Sequence, residues 1–106
     1  MDRLTLALLT FDVGVPAATP DVFADRVCAQ VREAWDDGAD LVVLPEFLWM
    51  GLEPFVAGED KLRGVAQLFW TDLWPRISPR LAQADKGVVL GTVPFVGADG
   101  QLRNRA

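Results

Sequence analysis

Glu46 is the side chain of this sequence best placed to do chemistry. It follows Leu41-Val-Val-Leu-Pro45, a short and almost wholly apolar run of the kind buried on both faces of a parallel sheet. Proline has no N–H to give to a ladder, so the strand ends at Pro45 and Glu46 stands at its carboxyl end. In open α/β sheets, ligands settle in the crevice outside such ends. Phe47, Leu48, Trp49 and Met50 come next. These neighbours are expected to draw water away from the carboxylate and make it a better proton acceptor near neutral pH. The plain alternative is a solvated loop acid, and position alone does not decide between the two.

The other chemistry-bearing residues have mainly structural readings. Cys28, the single cysteine, falls on or beside the apolar stripe of a helix and reads as a core thiol, because nothing near it in sequence would stabilise a thiolate. Lys61 and Lys86 read as solvated surface lysines. Trp49, Met50 and Phe55 suit a substrate pocket or packing beneath a loop equally well. Trp70 and Trp74 are four apart, the spacing of neighbours on one helix face. Glu53 and Glu59 read as loop acids, with Glu53 close enough in sequence to support Glu46.

The elements that must position Glu46 can be read from periodicity. Leu4 to Phe11 is expected to form a first strand. A loop through Asp12 to Pro20 follows, then a helix over Asp21 to Asp37. That helix has Thr19 or Asp21 as its cap, Pro20 in its first turn, an apolar stripe of Phe23, Val27, Val31 and Ala34/Trp35, and Gly38 as its stop. After the strand that ends at Pro45, Phe47 to Gly58 reads as an apolar loop. A second helix spans Asp60 to Ala84, with interruptions expected near Pro75 and Pro79. Gly87 to Phe95 reads as a third strand, Gly97-Ala-Asp-Gly100 as a turn, and 101–106 as the return arm of a hairpin. Strands alternating with helices imply an α/β fold with a parallel core.

Composition narrows the class. The chain has 106 residues, 51% hydrophobic and 24% charged, with a net charge of −5 and no histidine. A basic patch for nucleic acid or an anionic membrane is missing from such a sequence. One cysteine and no histidine exclude an internal disulfide and an ordinary zinc set, and fit a reducing cytoplasm. Arg3, the apolar Leu4–Leu9 stretch and Ala17–Ala18 imitate a leader peptide, but the stretch is short and is followed by Asp12. The mean hydropathy of +0.21 is high for so small a domain and suggests that apolar surface is covered from outside these residues. The sequence also stops inside a strand-like segment. Residues 1–106 are therefore expected to be the front portion of an incomplete domain.

The combination resembles the nitrilase-type carbon–nitrogen hydrolases. The resemblance rests on Leu6-Ala-Leu-Leu-Thr-Phe11, on Gly38-Ala-Asp-Leu-Val-Val-Leu-Pro-Glu-Phe47, on Val89-Leu-Gly-Thr92, and on Asp99-Gly100 followed by Leu102-Arg-Asn-Arg-Ala106. It implies the N-terminal half of an α-β-β-α sandwich, with sequence order β-α-β-α-β-β. It also implies hydrolysis of nitrile, amide or carbamoyl C–N bonds by a Glu-Lys-Cys triad, with Glu46 as general base and no cofactor or metal. Phe47, Trp49, Met50 and Asn104 become substrate-pocket candidates, Gly91 a close-packed neighbour of the site, and a homo-oligomer acting on a small nitrile or amide the expected form. The family's lysine and cysteine belong to stretches after the Asn104 segment, so the chain alone is expected to be inactive. The alternative is a small α/β binding or vestigial module that docks a partner through an exposed apolar sheet face. A nucleotide-binding role is disfavoured, because neither a G-x-G-x-x-G nor a G-x-x-x-x-G-K-[ST] run is present.

Overall fold

A computed structural model describes residues 4–10, 17–46, 48–83 and 85–105, of which 102–105 as backbone. The first helix, α1 (Pro20–Asp36), starts where Thr19 adopts an extended conformation and its Oγ1 accepts the Val22 N–H at 3.1 Å. Pro20 occupies the first helical position, where a missing N–H costs nothing. The helix buries Phe23, Ala24, Val27, Cys28, Val31, Ala34 and Trp35. Gly38 ends it at φ +107°, donating its N–H to the Trp35 carbonyl at 3.0 Å. Few residues other than glycine take that left-handed conformation cheaply.

Three short strands, β1 (Leu6–Leu8), β2 (Leu41–Val43) and β3 (Gly87–Val89), form a parallel sheet in the order β1-β2-β3. The fold is mixed α/β, and β2 is the central strand of that sheet. Ala7, Val42 and Val88 form one cross-strand row. They face the core, where Val42 is fully buried and Ala7 and Val88 pack at its margin. Strand alternation sends the flanking rows, Leu6-Leu41-Gly87 and Leu8-Val43-Val89, to the opposite face. There Leu6, Leu8 and Val89 are 54%, 76% and 42% exposed. The helices pack on one face alone; among the described residues nothing covers the other. That is unusual for a parallel sheet, which normally carries cover on both sides.

The segment expected to be an apolar loop is instead a 3-10 helix, Leu48–Phe55. Its apolar residues at positions 48, 49 and 52 fall on one side of a helical turn and are all buried. Gly51 and Pro54 punctuate it without breaking it. The second helical region comprises α2 (Lys61–Gln67), a π-helical stretch at Leu68–Leu73, and α3 (Trp74–Leu81). Asp60 caps α2 by accepting the Arg63 N–H at 3.2 Å. The wide turns lie immediately before Pro75, whose missing N–H removes one rung of the ladder; a π-bulge is one way a helix absorbs such a loss. Pro79 sits inside α3 with no break. The donor it lacks would have reached the carbonyl of Pro75, so both defects fall on one stretch of helix.

The expected third strand divides. Residues 87–89 belong to the parallel sheet, whereas β4 (Val93–Val96) pairs antiparallel with β5 (Leu102–Arg105) in a separate hairpin. The division falls at Gly91, with φ +78°. The expected turn holds: Gly97 and Gln101 close it through an N–H to carbonyl bond of 2.9 Å, and the Asp99 carboxylate accepts the Gln101 N–H at 3.0 Å. The return arm, β5, falls within the expected 101–106, and Ala106 lies outside the described residues. The Leu4–Phe11 strand is shorter than read, and Phe11 and the start of the following loop lie outside the described residues.

Two ion pairs tie α3 to α1: Arg76 with Asp21 and Arg80 with Asp25, both at 2.6 Å. All four side chains are about half exposed, so each pair contributes less than about 1 kcal/mol. Burial of the aromatic core is the larger effect, since a single large apolar side chain is worth about 1.5–3 kcal/mol.

The bare leucine face should govern solution behaviour. The chain is expected to self-associate in the micromolar range, and Leu8→Lys to shift it toward monomer in sedimentation velocity. A wild-type chain that sediments as a monomer across the whole concentration series would contradict this.

Candidate functional site

The corner after β2 is held by tertiary contacts. Leu44 donates its N–H to the Val89 carbonyl at 2.9 Å, which carries the β2–β3 pairing to the threshold of Pro45. The Pro45 carbonyl in turn receives the Leu48 N–H at 3.4 Å, starting the 3-10 turn. Gly91 passes close by: a Cβ at that position would lie 2.6 Å from the Pro45 oxygen. Its missing side chain and positive φ are both used, which agrees with close packing beside the site. Glu46 therefore sits at the carboxyl end of the central strand, as its sequence position predicted.

Its surroundings differ from expectation. Glu46 is exposed to solvent and, among the described residues, makes no hydrogen bond or ion pair. Two of its hydrophobic neighbours do not cover it because they turn inward. Leu48 and Trp49 are fully buried in the core. Trp49, for which pocket and packing readings stood equal, packs as a structural hub: its ring lies 4.7 Å from Phe69 and 6.0 Å from Phe23, centroid to centroid. Its indole N–H donates to the Leu90 carbonyl at 3.1 Å. A large amphipathic ring with one donor is satisfied in this way when fully enclosed.

Met50 and Glu53 belong to a different cleft. Met50 is half-buried and lines a cleft of about 300 Å³ with Gly51, Glu53, Pro54 and Lys61. Glu46 is not part of that lining, so Glu53 neighbours Lys61 across the cleft and is separate from the candidate base. Lys61 donates to the Val56 carbonyl. Asn104 pairs with Pro94 in the backbone register of the hairpin. Phe47, the last pocket candidate, lies outside the described residues. Lys86 donates to the Ala39 carbonyl at 3.1 Å. Ala39 precedes β2, so this lysine is at the far end of the strand, roughly 20 Å from Glu46 at strand rise.

Cys28 is buried in the core, and enclosure pushes its thiol above the usual value. The nearby Arg80 guanidinium opposes that shift without reversing it. A thiol held protonated is a poor nucleophile. Trp70 and Trp74 are half-buried and stack against Phe69, while the Trp70 indole donates to the Pro94 carbonyl at 2.8 Å. Both are packing residues, and Trp70 docks the hairpin through Pro94 and Phe95.

Sequence reasoning passed over Thr92. Its hydroxyl oxygen is enclosed and has no hydrogen-bond partner, alone in this among the described residues. Leaving such a group unpaired costs about 1–3 kcal/mol. It follows Gly91 directly and so lies beside the Pro45–Glu46 corner. The available signal was a polar residue at the carboxyl end of β3, level with the one after β2. No metal-ligating cluster is present among the described residues, and no described helix is long and apolar enough to cross a membrane.

The chain matches no protein-family profile, no curated protein and no solved structure among those compared.

Two outcomes follow from this geometry. The Cys28 thiol should resist a disulfide reagent at pH 7–8 while the chain is folded, and react promptly once it is unfolded in guanidinium. Because the folded thiol is raised, its favourable contribution is intact below the unfolded value of 9.0 and is lost as pH rises beyond it. Gly91→Ala should lower stability by about 1–3 kcal/mol through left-handed strain and the clash with Pro45, read as a reduced midpoint in urea unfolding.

Proposed function

We propose that this chain carries the general base, Glu46, of a carbon–nitrogen hydrolase of the nitrilase type. The supporting observation is the place of Glu46 at the carboxyl end of the central strand of a parallel sheet, with the β3–β4 link packed against the preceding proline. On this reading Glu46 accepts a proton from a cysteine thiol. The thiolate adds to a nitrile or amide carbon, and a lysine steadies the charge that develops. With an amide, Glu46 then returns the proton to the departing nitrogen; with a nitrile, the proton goes to the thioimidate nitrogen and a first water adds to the carbon before ammonia leaves. On both routes Glu46 activates the water that cleaves the resulting thioester.

Within residues 1–106 no second or third member of that triad matches the pattern. Cys28 is enclosed, and Lys61 and Lys86 serve backbone carbonyls. The nucleophile and the lysine therefore come from other polypeptide. Water removal around Glu46 falls to that polypeptide and to the substrate. The same reading accounts for the open sheet face: Leu6, Leu8, Leu41, Val43 and Val89 present the inner surface of one sheet in an α-β-β-α sandwich, ready to receive the second. The expected setting is a homo-oligomer in the cytoplasm that acts on a small nitrile, amide or carbamoyl compound without a cofactor.

A second reading takes the bare face as a docking surface in its own right. It is favoured by the exposure of Leu6 and Leu8, and it makes the chain a binding module without chemistry.

The two readings separate in one assay. Aliphatic nitriles, primary amides and N-carbamoyl compounds are offered to this chain and to any longer product of its reading frame. Turnover is expected only where a lysine and a cysteine follow residue 106. There Glu46→Gln should lower kcat by about 10²–10⁴-fold with little change in KM. Full activity in the Gln variant would remove the assigned base, and a longer product inert toward every compound would favour the binding module.

A further inference from the structure

The edge of β1 is the part of this fold most ready to accept another chain. Leu9 donates its N–H to Val43 and the Thr5 carbonyl accepts from Asp40 and Leu41, so the odd-numbered residues of this segment face β2. By strand alternation Leu6 and Leu8 turn their N–H and C=O groups outward. Among the described residues none of these groups is taken up, and β1 carries no proline, bulge or charged side chain to discourage pairing. The opposite edge of the sheet is better guarded at its carboxyl end, where the Trp49 indole donates to the Leu90 carbonyl at 3.1 Å.

A groove of about 440 Å³ runs along this edge between β1 and α1. Its apolar floor includes Ala7, Leu9, Ala34 and Ala39. Its α1 wall carries Gln30, Glu33 and Asp37, which lie on one helix face by their spacing, and its lining contains no lysine or arginine. Lys86 is engaged with the Ala39 carbonyl.

We propose that this edge binds an extended basic segment of a partner protein, which adds to β1 as a fourth strand. The alternation of such a segment fits the site. Lysines on one face would lay their aliphatic stems over Ala7, Leu9 and Ala34 and bring their ammonium groups to Glu33 and Asp37. β-Branched residues on the other face would extend the open apolar surface beside Leu6 and Leu8. A second copy of this chain is a poorer occupant. Edge-to-edge pairing of two β1 strands brings Glu33 and Asp37 of both copies together, in a protein that already carries a net charge of −5. The inference is independent of the hydrolase reading, because it uses no residue of the Glu46 corner.

The test uses three fluorescently labelled, end-capped hexapeptides: alternating Val and Lys, alternating Val and Glu, and the Val/Lys peptide with N-methyl groups on one backbone edge. Fluorescence anisotropy against the wild-type chain should give binding of the Val/Lys peptide at least about tenfold tighter than that of Val/Glu at low salt, with the preference shrinking as salt is raised. N-methylation should abolish binding, and the Leu6 and Leu8 amides should become protected from hydrogen exchange. Glu33→Gln with Asp37→Asn, checked for folding by circular dichroism, should erase the preference for lysine while leaving exchange protection by the Val/Glu peptide unchanged or improved. The proposal is overturned if the N-methylated peptide binds as well as its parent, if no peptide binds at millimolar concentration, or if the neutralised variant keeps its preference.

Discussion

Trp49 is the contact on which the described structure most depends. Its ring lies between α1 and the π-helical stretch through Phe23 and Phe69, and its indole N–H ties the 3-10 segment to the end of β3. One side chain thus connects the first helix, the second helical region, the central strand's exit and the third strand. Removing it would open a large cavity and free the Leu90 carbonyl at once, the combination that makes buried aromatic truncations cost about 3–5 kcal/mol. The direction of the chain after Glu46 is set by this inward pull. The same pull leaves Glu46 itself outside, because Leu48 and Trp49, two of the residues expected to shield it, are committed to the core.

The sheet is asymmetric in a way that links stability to function. On one face, Val42 and its neighbours are sealed by α1, the 3-10 helix and the second helical region. On the other, Leu6, Leu8 and Val89 stand in water. A parallel sheet finished on one face only is a surface in search of a second layer. The hydrolase reading and the binding-module reading are two answers to that one physical problem. They differ in whether the missing layer brings a nucleophile with it.

The helical region after Asp60 shows how local defects are absorbed. Two prolines four residues apart remove donors from neighbouring rungs, and the wider π turns before the first of them take up the mismatch. Phe69 and Leu73 remain fully buried across these turns. The apolar contacts to α1 are kept, and the backbone adjusts around them.

Much of the architecture was legible in the residues. Thr19, Pro20 and Gly38 delimit α1 through capping, a fixed φ and a left-handed stop, all of which are local effects. The apolar run before Pro45 marked the central strand, and Gly97 to Gly100 marked the hairpin turn, because turn geometry is decided within a few residues. Other features needed the tertiary structure. Trp49 and Met50 are adjacent and similarly apolar, yet one is a hub and the other lines a cleft; burial depends on what arrives from Phe23 and Phe69, far away in sequence. The break between β3 and β4 at Gly91 depends on the close approach of Pro45. The exposure of Glu46 depends on which way its neighbours turn. Sequence alone placed the carboxylate at the end of its strand, since that follows from one proline and the apolar run before it. Only the folded chain could decide how much water the carboxylate keeps, because desolvation is a property of everything around a group and not of the residues beside it.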